Sequence, residues 1–343
     1  MIFTVKKLNL TDCILLFLTI LFMGAILFLP QVSTKGAKSG LIICGDVLIP
    51  SLFPFAVPVL FLINTDLFGN LKCPIIPLYI LSLIGGYPVG AKLINEFVKE
   101  NRISELSARK VLPFCVNAGP AFIVLAIGKS MLGNIVLGYI LLASHCLASI
   151  ICFLFFARKE LFIKQSIGQN KPFVMPSDNF VASINNASST CLLICAFVVF
   201  FSVLNSYIGY IAEGVPALYP LLYLTEVTSA VTQTENVLII SFLLGFGGFS
   251  VWMQVFSVSG KAKPSLLSFA FVRILHGLLS AAITLLLLKI FRVNILTLST
   301  GVTFSAHPTH NGYAQSIALL FMALLLLYSI SKKHSGNLLK DMI

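Results

Sequence analysis

The stretch IGGYPVGAKLI, residues 84–94, decides the fold together with FCVNAGPAF at residues 114–122. Both stretches are apolar enough to lie inside a membrane, yet both contain residues that interrupt a helix. Glycine tolerates backbone angles that strain other residues, and proline removes an N–H donor and clashes with the preceding turn. An interrupted helix in lipid leaves N–H and C=O groups unpaired, which is tolerable only where protein or a water-filled cavity covers them. Transporters build substrate sites at such breaks, so both stretches are candidate ligand sites.

The composition predicts an all-α polytopic membrane protein. Of the 343 residues, 58% are hydrophobic and only 10% are charged, and the mean hydropathy is +0.99. Counting the apolar runs against the roughly 20 residues that a bilayer requires predicts about 8–10 membrane helices, some of them broken or re-entrant, in contact with lipid. The net charge of +11 comes from Lys and Arg in short segments between apolar runs. That distribution indicates membrane topology and not nucleic-acid binding.

The whole chain, 1–343, is predicted to form one integral membrane domain made of two structural repeats. A polar linker at 165–178 separates a first half, 38–160, from a second half, 178–292, and a last span follows at 313–330. Each half has the order helix, interrupted element, interrupted element, span. Paired interruptions at corresponding positions of two halves are typical of transporter sites.

Two local expectations concern the beginning of the chain. Residues 31–40 are basic and rich in small residues, and we expect a connection there. Pro50, Pro54 and Pro58 follow at intervals of four, which predicts a kinked or part-interfacial helix over residues 41–63 and not a straight span.

The candidate binding residues of the first half surround the two breaks. Lys92 directly follows the first break and either reaches back to a ligand or extends to the membrane interface. Asn117 hydrogen-bonds either a ligand or the freed backbone of its own break. The full set is Gly85, Gly86, Tyr87, Pro88, Gly90, Lys92, Asn117, Gly119 and Pro120.

The second half contributes the ionisable candidates. Glu226 lies in an apolar run, where an unpaired carboxylate is costly, so it is either a coupling-ion or proton site or gate, or a structural partner for an arginine. Arg273 and His276 are three residues apart and share one helix face. Arg273 either pairs with Glu226 or offers its guanidinium to a carboxylate substrate. The set is Glu226, Thr228, Ser229, Gly247, Gly248, Ser250, Arg273 and His276.

Motifs of other function classes are absent from the sequence. It contains no Walker motif, no GxSxG and no HExxH, so we expect neither an enzyme nor a cofactor. His307 and His310 have metal-ligand spacing, but no third ligand is near, and no metal site is predicted.

Four motifs together carry a resemblance to a known family. They are SLFPF (51–55), GGYPVGAK (85–92), NAGPAF (117–122) and GFGGFSVWMQ (245–254). In this order they resemble the YlbJ-type (SpoVV) sporulation integral membrane proteins of the nucleoside-recognition or Gate-domain group, which is similar to concentrative nucleoside transporters. The likeness covers roughly residues 38–290. It implies a protein of the outer forespore membrane, made in the mother cell, that moves dipicolinic acid toward the forespore.

The implied substrate is a planar aromatic dianion, and the residues offer groups that suit it. Lys92 and Arg273 would supply positive charge, helix N-termini at the breaks would supply N–H groups, and Tyr87 would supply a ring to stack on. Two alternatives stay open. One is a nucleoside carrier, in which Asn117, Thr228 and Gln254 dominate. The other is a non-transporting component of spore-envelope assembly. The partners of the chain are a separate open point, and they include a homo-oligomer or sporulation partner proteins.

Overall fold

The computed structural model describes residues 10–64, 75–162 and 176–293, so that the predicted span at 313–330 lies outside it, as do His307 and His310. Every regular element in these ranges is helical, which confirms the all-α prediction. The α-helices are α1 (Leu10–Phe28), α2 (Pro30–Ile43), α3 (Ile49–Asn64), α4 (Ile75–Gly85), α5 (Tyr87–Lys99), α6 (Glu105–Val111), α7 (Ile135–Phe156), α8 (Pro176–Ala212), α9 (Tyr219–Thr225), α10 (Val227–Val231), α11 (Val237–Phe246), α12 (Gly248–Val258) and α13 (Leu266–Ile290).

Several short helical segments of other types connect these helices. The π-helical segments are Cys44–Leu48 and Phe122–Met131, and the 3₁₀ segments are Leu112–Phe114, Arg158–Phe162, Pro216–Leu218 and Gly260–Ala262.

Five helical segments within the described ranges are long and apolar enough to cross a bilayer. Three shorter apolar helices accompany them, at Asp12–Phe28, Ile75–Gly85 and Phe122–Met131. The chain is therefore an integral, multi-pass membrane protein whose outer surface contacts lipid. The five long segments are Pro30–Asn64, Ile135–Phe156, Ser177–Ala212, Val237–Val258 and Leu266–Ile290.

The expected connection at residues 31–40 is wrong, because this stretch belongs to α2. Pro30 suits the first turn of a helix, where its missing N–H is not needed. The buried glycines Gly36 and Gly40 have no side chains to separate the helices, so α2 packs closely on α8. A composition that is typical of a loop is here the composition of a helix-packing face.

The helix over residues 41–63 is irregular, as its prolines predict. Pro50 has no N–H to donate to the carbonyl of Asp46, and the segment Cys44–Leu48 is π-helical. The N–H of Ile49 donates to the carbonyl of Cys44, five residues earlier, which is the bonding pattern of a π-helix. Pro54 and Pro58 then lie within α3.

All four predicted interruptions are present. The first separates α4 from α5 at Gly86, and the second is the non-helical stretch 115–119, which ends just before Pro120 and the π-helix. The third separates α9 from α10 at Glu226, and the fourth separates α11 from α12 at Gly247. The order of elements agrees with two halves of similar pattern, while their relation as structural repeats stays a prediction.

Candidate functional site

Three of the four interruptions, together with α3, α8 and α12, enclose one small cavity, here called the central cavity. The first break contributes Gly86 and Tyr87, the second contributes Gly119, and the third contributes Glu226 and Thr228. The volume of the cavity is about 30 Å³, room for about two water molecules. The structure therefore describes a closed state, in which no aromatic solute fits.

The first two breaks lie directly against each other. Gly86 has φ +87°, a left-handed backbone angle that favours glycine, and it precedes the first turn of α5. A Cβ atom at Gly119 would lie 3.6 Å from the Cα of Gly86, so the two backbones are in contact. This contact brings the two stretches that the sequence singled out to one wall of the central cavity.

Side chains from two other parts of the chain cover the carbonyls that the fourth break frees. α11 ends because Gly247 adopts φ +85°. The hydroxyl of Tyr87 donates to the carbonyl of Leu244 at 2.8 Å, and Trp252 Nε1 donates to the carbonyl of Phe246 at 2.8 Å. Tyr87 therefore joins the first break to the fourth by a buried hydrogen bond. Its phenol is engaged in holding a helix end in this closed state.

Arg273 is completely buried on α13 and donates mainly to freed backbone carbonyls. Its Nη1 donates to the carbonyl of Val116 in the second break at 2.5 Å. Its Nε donates to the carbonyl of Phe246 at the fourth break at 3.4 Å. One guanidinium thus pairs acceptors from both halves, which explains its place at membrane depth although no acidic partner lies among the described residues. Arg273 is not among the residues that line the central cavity.

Two histidines extend the network around Arg273. The N–H of Ala118 donates to His145 Nε2 at 3.1 Å, so this nitrogen carries no proton. His276 Nε2 donates to the carbonyl of His145 at 3.0 Å, which leaves His276 Nδ1 to accept from Arg273 Nη1 at 3.2 Å. These bonds assign the neutral form to both rings, whose centroids are 4.5 Å apart. His145, which the sequence analysis did not select, is thus a structural partner of the second break.

Among the described residues that line the central cavity, Glu226 is the only Asp, Glu, Lys, Arg or His. It has an extended backbone, is 1% exposed, and occupies the N-cap of α10. Its two carboxylate oxygens accept the N–H groups of Thr228, at 3.0 Å, and Ser229, at 2.5 Å. In the described part of the chain no ion pair joins Glu226 to Arg273. Each oxygen keeps a further lone pair that can accept a proton, a cation or a ligand donor.

Lys92 and Asn117 differ in what they contact. Lys92 Nζ donates to Thr190 Oγ1 of α8 at 3.3 Å, and Thr190 in turn lines the central cavity. Lys92 is therefore one hydrogen bond away from the cavity. Asn117 Nδ2 donates to the carbonyl of Phe114 at 2.9 Å, so Asn117 holds its own break together.

The predicted site residues fall into two groups. Those that line the central cavity are Gly85, Gly86, Tyr87, Pro88, Gly119, Glu226 and Thr228. The others lie behind this wall or beside it: Gly90, Lys92, Asn117, Pro120, Ser229, Gly247, Gly248, Ser250, Arg273 and His276.

Sequence reasoning missed the contribution of α8 to the cavity. Thr190, Cys191, Ile194 and Val198 of this helix form one wall, at the helical spacing that puts them on one face. No glycine or proline marks this stretch. Its only sequence signal is Thr190 at the end of a run of small polar residues.

The fold and the cavity define an integral, multi-pass α-helical membrane protein whose interrupted helices meet in its interior. The chain is similar to the sporulation integral membrane protein YlbJ of Bacillus subtilis (strain 168). The two are 26% identical over 323 residues of alignment, which covers 76% of this chain and 78% of the relative. This similarity confirms the resemblance to YlbJ-type sporulation membrane proteins that the motifs predicted.

No protein-family model matches the chain, and no solved structure matches it.

Proposed function

We propose that this protein is a transporter that carries dipicolinate, a small planar aromatic dicarboxylate, across the outer forespore membrane by alternating access. The observation that carries the proposal is the meeting of three helix interruptions from both halves of the chain at one buried cavity. Interrupted helices at membrane depth are costly to build, and in transporters they form the substrate site. The absence of catalytic motifs from the sequence supports a non-enzymatic role.

The walls of the central cavity suit a planar ring with polar groups at its edge. Apolar side chains such as Ile194, Val198 and Phe122 would cover the faces of the ring. Thr190, Thr228 and Gln254 present hydrogen-bonding groups. Because the cavity is closed, binding requires that its walls move apart, as alternating access demands.

The charge of the cavity restricts how a dianion can be carried. The carboxylate of Glu226 would repel a second carboxylate by about 4 kcal/mol at 4 Å for an effective dielectric constant of 20. Arg273 is occupied by carbonyls, and Lys92 is one hydrogen bond away. We therefore propose that dipicolinate is carried together with a proton or metal cation that neutralises Glu226, while Lys92 turns toward the cavity.

A nucleoside is the second candidate, and the neutral polar lining favours it. The hydroxyls of Thr190 and Thr228 and the amide of Gln254 need no charge on the ligand. The carboxylate of Glu226 would accept hydrogen bonds from ribose hydroxyls. Such a ligand needs no co-transported cation to offset Glu226.

The test is efflux from proteoliposomes that contain the purified full chain and are loaded with dipicolinate or with uridine. Dipicolinate outside the vesicles is detected by terbium luminescence. We expect dipicolinate to leave faster than from protein-free vesicles, and faster still with a cation supplied on the inside. Efflux of uridine alone would favour the second candidate. Efflux of neither solute from correctly folded protein would contradict transport and favour an assembly role.

A further inference from the structure

A second cavity, here called the vestibule, lies beside α10. Its lining includes Lys35 of α2, Ser206 and Tyr210 of α8, Tyr219 of α9, and Gln233. Its volume is about 370 Å³, compared with about 30 Å³ for the central cavity. Polar side chains at membrane depth face water or one another, and a cavity of this size and polarity has room and hydrogen-bonding partners for water.

α10 is the partition between the two cavities. Glu226, Val227 and Thr228 line the central cavity, while Ser229 and Gln233 line the vestibule. The helix has five residues and spans about 7.5 Å. One short helix therefore separates the vestibule from the proposed substrate site.

Two sets of polar contacts hold α10, in addition to its packing against α9 and α11. Its N-terminus is fixed by the two bonds from Thr228 and Ser229 to the carboxylate of Glu226. Its polar contact with α8 is the pair Ser202 Oγ and Ser229 Oγ, 3.5 Å apart. A helix of this length has no stability of its own, so its position depends on these contacts and on its buried apolar side chains.

We propose that the vestibule is the aqueous entrance for the solute on one membrane face, and that α10 is the gate between it and the central cavity. The inference rests on the proposed transport function. A proton or cation that binds the carboxylate of Glu226 from the cavity side reduces its negative charge and so weakens the charge-assisted N-cap bonds of α10. Occupation of the central cavity is thereby linked to release of the gate.

The vestibule opens on the membrane face opposite the turn between α5 and α6. The membrane span Val237–Val258 begins four residues after Gln233 of the vestibule and ends two residues before Gly260, which lies against Asn95 of α5. The vestibule and the α5–α6 turn therefore lie toward opposite ends of this span. Lys35 and Glu213 carry opposite charges and the other polar groups are neutral, so the vestibule does not select solutes by net charge. Selection therefore takes place behind α10.

The first test labels cysteines with a membrane-impermeant thiol reagent, added to one face of sealed vesicles and located by peptide mass spectrometry. Gln233→Cys should be labelled from the face opposite the α5–α6 turn. Leu278→Cys, on the lipid-facing side of α13, is the control and should react slowly. Failure of Gln233→Cys to react, or reaction only from the other face, would contradict the proposal that the vestibule is an aqueous entrance on this face.

The second test uses the native Cys191, which lines the central cavity and is 3% exposed. Glu226→Ala removes the N-cap of α10, and labelling of Cys191 from the vestibule face should rise by about 5- to 30-fold, the factor that matches the loss of a helix cap. Cys152, buried away from both cavities, should not change. An equal rise in the labelling of Cys152, or no rise in the labelling of Cys191, would contradict the proposal that α10 is the gate.

A cross-link provides the test if Glu226→Ala does not fold. Ser202→Cys with Ser229→Cys, joined by a short bifunctional thiol reagent, should fix α10 to α8 and lower the labelling of Cys191. The matched control is Ser241→Cys with Ser280→Cys, which joins α11 to α13. The hydroxyls of Ser241 and Ser280 are 2.9 Å apart, and this cross-link should leave the labelling of Cys191 unchanged. Equal effects of the two cross-links would contradict the gate. Because labelling needs no transported solute, these outcomes are independent of the transport assay.

Discussion

At the scale of single residues, several of the large buried polar side chains pair with backbone that the breaks have freed. Arg273 illustrates this, since its guanidinium donates to the carbonyls of Val116 and Phe246, which belong to different breaks. An acceptor that loses its donor in a buried place costs about 1–3 kcal/mol. The same residue type would suit an anionic substrate, so residue chemistry alone does not separate the two roles.

Replacing Arg273 with Met should therefore destabilise the fold. Val116 loses its donor and His276 Nδ1 loses its partner, and we expect a loss of about 2–4 kcal/mol in the free energy of unfolding. Arg158→Met, at an exposed position, is the matched control and should change little. Thermal unfolding of the two purified variants in detergent measures the stability of each. Equal stability of the two variants would contradict the structural role of Arg273.

Gly90 is required by a close approach between backbones. A Cβ atom at this position would overlap the carbonyl oxygen of Cys115, which cannot move without disturbing the second break. Gly90→Ala should lower stability by about 1–3 kcal/mol, as overpacking does. Gly24→Ala in α1 is the control, because nothing lies within 4 Å of its Cβ position and alanine favours a helix. A stabilising effect of Gly90→Ala, like that expected at Gly24, would show that the approach is absent.

At the scale of elements, the fourth break is stabilised by a helix from the first half of the chain. Tyr87 belongs to the first break but holds the end of α11 through Leu244. Tyr87→Phe keeps the ring and removes the hydroxyl, so the carbonyl of Leu244 loses its partner at a cost of about 1–3 kcal/mol. Tyr139→Phe, at an exposed position of α7, is the control. The melting temperatures of the two variants give the comparison, and identical values would contradict the bond.

The positions of the breaks could be predicted from the sequence because glycine and proline act locally. Gly86, Gly247 and the stretch around Pro120 interrupt helices for reasons contained in a few residues. The partners of the freed groups could not be predicted, because Tyr87 and Leu244 are 157 residues apart. The same limit explains why the wall that α8 contributes was missed. It also explains why residues 31–40, which pack on α8, resembled a loop.

At the scale of the whole molecule, the halves of the chain meet at a closed cavity with the vestibule beside it. The first half contributes the two glycine-rich breaks, and the second contributes Glu226 and its short helix. α13 and its Arg273 join the two halves at a distance from the cavity. The proposed transport would move the walls of the cavity apart while these bonds of Arg273 persist.

The measurement that tests this account most directly is dipicolinate uptake into proteoliposomes, driven by an imposed proton or sodium gradient. Wild-type protein should accumulate dipicolinate with one of the two gradients. Glu226→Gln should abolish that accumulation because an amide binds neither cation well, and Glu235→Gln, on an exposed loop, should not. Accumulation by Glu226→Gln at the wild-type rate, or no movement of dipicolinate through folded wild-type protein, would contradict the account.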